Sequence, residues 1–132
     1  MSGENVEVVR RLYGLWPDRV SAVEEVLHPD VVIDVYSRNV LTPALYHGFD
    51  GFRRFLERVE EVWENLQVEP EELIDAGDNV VATVRMWGKR RGSEMKAETR
   101  VFTIWTFREG KVLRYTSYQT KRQALEAAGL SE

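Results

Sequence analysis

The sequence predicts an α+β fold in a single domain over residues 1–132: a curved sheet wrapped around N-terminal helices, with a pocket between them. Helical spacing of apolar residues dominates the first half of the chain. The stretch His28-Pro29-Asp30-Val31-Val32-Ile33-Asp34-Val35 interrupts it with a turn and a strand. Everything after Leu66 reads as strands until a short last helix.

The first helix is expected from about Glu4 to Trp16, with Glu4 and Glu7 favourable in its first turns. Val6, Val9, Leu12, Tyr13 and Trp16 form one apolar stripe. Pro17 stops that helix, and Val20, Val23, Val26 and Leu27 mark a short second one. Residues 31–36 are rich in β-branched side chains and predict the first strand. Arg38 to His47, with Pro43, reads as a loop. Asp50 is a suitable N-cap for a third helix whose apolar face is Phe52, Phe55, Leu56, Val59, Val62 and Trp63. Strands are expected at about 67–75, 79–88, 94–108 and 111–119. Gly77-Asp78, Arg91-Gly92-Ser93 and Glu109-Gly110 supply the turns. Thr120 and Gln123 have capping-box spacing for a last helix that Gly129 ends.

Composition narrows the function. A chain of 132 residues can bury roughly two thirds of its unfolded surface. A net charge of −4 argues against a nucleic-acid partner, which needs a basic face. Lys89-Arg90-Arg91 is the densest basic run, but Gly88 and Gly92 frame it, so it reads as a solvated hairpin tip. The chain has no cysteine, which excludes disulfides, thiolate metal sites and cysteine nucleophiles. No apolar run is long enough to span a bilayer and no signal sequence is evident, so no membrane partner and a cytoplasmic location are expected.

Neither face of the long strands is cleanly polar. In 79–88, Val80, Ala82, Val84 and Met86 share one face and Val81, Thr83, Arg85 and Trp87 the other. A sheet with one wet face alternates more sharply. Both faces are therefore expected to be covered, one by helices and the other by a second copy of the chain. The residues expected at that homodimer contact are Phe102, Ile104, Val80, Val84 and Met86.

Several segments together resemble the SnoaL-like branch of the nuclear transport factor two superfamily. They are Val8-Val9-Arg10-Arg11-Leu12-Tyr13, Leu27-His28-Pro29-Asp30-Val31, Tyr46-His47-Gly48, Gly51-Phe52-Arg53-Arg54-Phe55-Leu56 and Asp75-Ala76-Gly77-Asp78-Asn79-Val80-Val81. Trp105-Thr106-Phe107-Arg108-Glu109-Gly110-Lys111-Val112 and Tyr118 complete the pattern, which covers nearly the whole chain. That superfamily also contains ketosteroid isomerases, polyketide cyclases, dehydratases and limonene epoxide hydrolases. The resemblance implies a cone-shaped, curved mixed or antiparallel sheet enclosing a pocket, and dimerisation through its convex side. It does not fix an activity, because this fold hosts many.

The resemblance also implies positions for catalysis. In ketosteroid isomerases a carboxylate near the end of the first strand is the general base, and Val35 stands there. Asp34 is one residue earlier, and strand alternation points it to the opposite face. Tyr13 stands at the oxyanion-hole tyrosine, and Thr103 stands where a carboxylic acid would complete that hole. Only Tyr13 is retained, so the isomerase mechanism does not carry over.

Strand parity and the family pattern place Val31, Ile33, Val35, Val81, Thr83 and Arg85 in the pocket, with Val101, Thr103, Trp105, Tyr115, Ser117 and Gln119. The helices add Leu12, Tyr13, Trp16, Phe55, Val59 and Trp63. This apolar, aromatic lining with a few polar points suits a small apolar or amphipathic molecule. Tyr13, Asp34 and Arg85 are the candidate catalytic groups, each with a plainer alternative. Tyr13 is otherwise a core tyrosine, Arg85 a cross-strand partner of Glu98, and Asp34 a solvated or paired strand residue. His28 and His47 read as structural and lack metal-ligand spacing; no metal or cofactor is expected. Three readings stay open: a non-catalytic binder, an isomerase, cyclase or dehydratase working without metal, and a dimeric interaction module with a filled cavity.

Overall fold

The computed structural model describes residues 2–14, 24–35 and 44–130. These form three α-helices and a six-stranded sheet, and none of the helices is long and apolar enough to cross a membrane. The expected second helix falls mostly on residues outside the described ones. Of it, 24–26 form a 3-10 turn and Leu27 already begins a strand.

Helix α1 spans Ser2–Gly14 and buries Val9 and Leu12 at helical spacing. Strand β1 is Leu27–Val35, earlier than the pattern predicts. Leu27 pairs with Val112 and is buried, so the apolar residue assigned to a helix instead starts the sheet. Register shifts between Leu27 and Val32, and Pro29 lies in that break, where a missing N–H costs no regular ladder bond. Strand β2, Ala44–His47, pairs antiparallel with β1, so the end of the expected loop is a short edge strand.

Helix α2 is Gly48–Val62. It starts ahead of Asp50 because Gly48 takes a positive φ of 70°, which folds the chain directly out of β2. His47 is the N-cap without a side-chain cap, and Asp50 lies in the first turn, bonded to Arg53 at 2.9 Å. A Cβ on Gly51 would meet Tyr46 C at 2.9 Å, so α2 presses against β2 where only glycine fits.

The rest is a meander: β3 Trp63–Ala76, β4 Asn79–Arg90, β5 Lys96–Arg108 and β6 Lys111–Tyr118. The order is β2-β1-β6-β5-β4-β3, with β1 and β6 parallel and the other pairs antiparallel. The edge strand β3 carries Glu64, Glu69, Glu71 and Glu72, and a register shift between Pro70 and Glu72. Charge, proline and irregular pairing discourage addition of another strand there. Helix α3, Lys121–Ala127, has the predicted capping box: Gln123 N–H donates to Thr120 Oγ1 and Gln123 Oε1 accepts from Thr120 N–H. Gly129 follows at a φ of 79°, as a C-terminal glycine should.

The sheet separates two cores. The inner one joins α1 and α2 to Leu27, Val31, Ile33, Val80, Ala82, Val84, Trp105, Val112 and Tyr115. The outer one packs Ala124 and Leu125 of α3 on Val81 and Ile104, with Ile74, Phe102 and Tyr118 at its margin. Each fully buried aliphatic side chain is worth roughly 1.5–3 kcal/mol. This partition corrects the expected outer face. Val80, Val84 and Met86 point inward, because Val84 lies opposite Val101 and Val80 opposite Trp105. Of the five residues expected at a dimer contact, only Phe102 and Ile104 face outward, and α3 already covers Ile104.

Candidate functional site

An apolar cavity of about 100 Å³ lies between the helices and the inner face of the sheet. Helix α1 contributes Leu12 and Tyr13, and α2 contributes Phe52, Phe55, Leu56 and Val59. The sheet contributes Leu66, Val68, Val84, Met86, Val101, Trp105 and Tyr115. The strand residues converge through cross-strand pairing: Val68 lies opposite Met86, Val84 opposite Val101, and Trp105 opposite Tyr115.

The aromatic side forms a connected chain. Tyr13 meets Trp105 edge to face, with centroids 5.7 Å apart at 86°. Trp105 meets Tyr115 at 4.8 Å and 74°, and Tyr115 meets Phe55 at 5.7 Å. Such pairs add stability beyond area burial and hold the rings rigidly.

The polar groups at this end carry no charge. Burial dominates the environment of Tyr13 and pushes its phenol up to about 12, against a smaller opposing pull from Trp105 and Thr103. Burial also pushes Tyr115 well above the ordinary tyrosine value, and the neighbouring Tyr13 adds to it. Both phenols are therefore neutral donors at physiological pH. Thr103 Oγ1 and Trp105 Nε1 are buried beside them, and neither closes a hydrogen bond of ordinary geometry among the described residues. Buried polar atoms are rarely left so. Among the described residues that line the cavity, none is a carboxylate or a histidine.

Of the expected pocket residues, Leu12, Phe55, Val59, Val101, Trp105 and Tyr115 line the cavity together with Tyr13. Thr103 is fully buried on the same face, between lining residues Val101 and Trp105. Val35 packs against the inner core without reaching the lining. Trp16 lies outside the described residues. Trp63 begins β3, stacked under Arg90 at 4.9 Å and away from the cavity.

Four polar expectations, Thr83, Arg85, Asp34 and Gln119, fall outside the cavity. Arg85 donates to Glu98 Oε1 from Nε at 2.8 Å and Nη2 at 2.6 Å, and lies over Trp87 at 4.2 Å. The cause is parity: Val84 and Met86 point inward, so Arg85 points out, and Val81 and Thr83 with it. Asp34 accepts a hydrogen bond from Arg114 at 2.9 Å, facing outward as alternation requires. Gln119 joins Asp34, Arg114 and Tyr118 in a separate polar depression beside α3. The sequence reading missed Phe52, Leu56, Leu66, Val68, Val84 and Met86. The helical pair was visible in the i, i+4 spacing of Phe52 with Leu56, and the strand residues needed the β4–β5 register.

Among the described residues no group of three or more His, Cys, Asp or Glu side chains is placed to hold a metal ion.

Comparison with known proteins agrees with this architecture. The model of the SnoaL-like domain family matches residues 9–115. A protein assigned as a SnoaL-like polyketide cyclase from Jannaschia sp. CCS1 superposes with a TM-score of 0.78 at 23% identity, covering 89% of this chain and 85% of that one. TerC, co-crystallised with polyporic acid, superposes with a TM-score of 0.74 at 25% identity, covering 96% of this chain and 98% of its own. A hypothetical protein with a ketosteroid isomerase-like fold from Catenulispora acidiphila DSM 44928, in complex with trimethylamine, gives 0.75 at 18% identity, covering 94% of this chain and 93% of that one. No curated relative matches.

Proposed function

Since the chain belongs to the SnoaL-like domain family, we propose that its inner cavity binds a compact, largely apolar ring compound through its walls and orients one acceptor oxygen with Tyr13 and Trp105, Thr103 lying behind them. The observation that carries this reading is the pairing of an apolar, aromatic lining with buried, uncharged donors at one end. Likeness to proteins crystallised with polyporic acid and with trimethylamine supports a small organic ligand.

Size sets the class. An apolar cavity of about 150 Å³ takes up benzene. The space here, about 100 Å³, is smaller and suits a ligand of no more than about one small ring. A core filled by its own side chains, the interaction-module reading, would leave no such space.

The lining favours binding over proton abstraction, since its described residues offer donors and no base. A cyclase-type activity, the second reading, is supported by the Jannaschia relative and by the neutral Tyr13 phenol, which would polarise a carbonyl without removing a proton.

Titration with cyclopentane and cyclopentanone, followed by methyl and indole NMR shifts, tests the proposal. Saturable binding of both is expected, with the ketone tighter. Tyr13→Phe should narrow that gap by removing one donor, worth about 1 kcal/mol. Absence of saturable shifts on Val84, Val101 and Trp105 with either compound would refute the reading.

A further inference from the structure

The basic run Lys89-Arg90-Arg91 is not merely solvated. Arg91 reaches across from the β4–β5 hairpin to the end of α2 and makes three bonds to its backbone. Its Nε donates to Glu60 O at 3.0 Å, its Nη2 to Trp63 O at 3.1 Å, and its backbone N–H to Val62 O at 2.9 Å. The last turn of α2 holds no basic residue of its own. A helix C-terminus leaves carbonyls unsatisfied and carries partial negative charge, which a cation from elsewhere can meet.

Two neighbours show how tightly the hairpin is seated. Arg90 covers Trp63, the first residue after α2, at 4.9 Å. A Cβ on Gly88 would lie 3.1 Å from Asn65 O and 3.2 Å from Glu64 O. The other end of α2 is pinned where Gly51 meets Tyr46. Between these anchors the helix offers Phe52, Phe55, Leu56 and Val59 to the cavity.

We propose that Arg91 is a positioning residue that fixes how far the C-terminal half of α2 stands from the sheet, and thereby limits the size of ligand the cavity admits. The proposal rests on the cavity being the binding site. With the clamp closed, the space of about 100 Å³ holds a single small ring. A fused-ring ligand displaces Val59 and Leu56 outward, and the guanidinium contacts give way at the helix end, the exposed bond to Glu60 ahead of the half-buried one to Trp63.

The test compares cyclopentanone with 1-tetralone, which share a ketone and differ in size. Arg91→Met keeps the apolar stem and removes the guanidinium. It should shift the ratio of affinities towards 1-tetralone by about tenfold, the factor that one charge-assisted hydrogen bond is worth. Arg91→Lys, with its charge but without the forked donors, should fall between. A merely structural role would weaken both ligands alike, and an unchanged ratio in folded Arg91→Met protein would overturn the clamp. In the wild-type protein, saturating 1-tetralone should speed hydrogen exchange at Arg91 Nε–H and in the last turn of α2, while cyclopentanone should not. This measurement decides the question if the variant does not fold, and unchanged exchange with 1-tetralone bound would overturn the proposal. If cyclopentanone fails to bind the wild-type protein, the cavity reading falls and the clamp's role with it. If it binds and the ratio does not move, only the clamp falls.

Discussion

Val84→Ile tests whether the cavity is real space or close-packed core. Val84 is 2% exposed, faces Val101 across the β4–β5 pair, and contributes to the cavity wall. Isoleucine keeps the β-branch that a strand favours and adds one methylene. In a close-packed interior that methylene forces side chains off their rotamers and costs about 1–3 kcal/mol. In a cavity of about 100 Å³ it enters free space instead. The gain is then the transfer of one CH₂, about 0.8 kcal/mol. For a domain of this size that corresponds to roughly 3 °C in Tm. Urea titration should show a higher midpoint with an unchanged slope, because the fold and the surface it exposes stay the same. Cyclopentanone affinity should fall in the same variant, since the added group occupies ligand space. A lower midpoint together with undiminished affinity would refute both the cavity and its assignment as the binding site.

Alkaline pH should act through the buried phenols. Tyr13 titrates at about 12 when folded and near 10.0 when unfolded. Its contribution is therefore intact below pH 10 and is lost between pH 10 and 12, at roughly 1.4 kcal/mol per pH unit. Tyr115 is raised too and steepens the fall, and Tyr13→Phe should flatten it in chemical denaturation across that range. Asp34→Asn and Arg85→Ala should leave ligand affinity unchanged and cost at most about 1 kcal/mol each, because both side chains form half-exposed ion pairs outside the cavity; loss of binding in either would show that the outer face takes part in ligand recognition. We propose a homodimer through the outer face beside α3. Phe102→Glu should then lower the sedimentation coefficient while the fold persists, whereas Ile104→Glu should destabilise the fold itself, because it places a carboxylate under Ala124 and Leu125. A monomeric wild-type protein at micromolar concentration would dispose of the dimer.

The fold was legible because each element announces itself locally. Helical spacing in α1 and α2, glycine turns between strands, and the Thr120–Gln123 box all act over a few residues. The errors in which face a β4 residue takes share one origin. Assigning Arg85 and Val81 inward required knowing which β4 residue faces which β5 residue, and that register is set by the hairpin rather than by either strand. In this antiparallel pair Val84 meets Val101 and Ala82 meets Thr103, so even positions of β4 share a face with odd positions of β5. Carrying one parity along the chain flips the strand. On β5 and β6 Trp105 and Tyr115 are large aromatic residues that favour burial, and both line the cavity. The reach of Arg91 to the end of α2 spans distant segments and leaves no local mark. Gly88 and Gly92 around it suggested only a turn.

The parallel pairing of β1 with β6 has a kinetic consequence. Ile33 sits beside Tyr115, roughly eighty residues away along the chain. By contrast β3, β4, β5 and β6 pair with their immediate sequence neighbours. Closing a long loop is entropically slower than zipping a hairpin. The meander should therefore gain protection from hydrogen exchange early in refolding, and the N-terminal segment should dock on it late. Cavity walls come from both units, Tyr13 from the late one and Trp105 from the early one. A ligand bridging them would act as a latch on the final docking step, slowing unfolding while leaving the first stage of folding at its own pace.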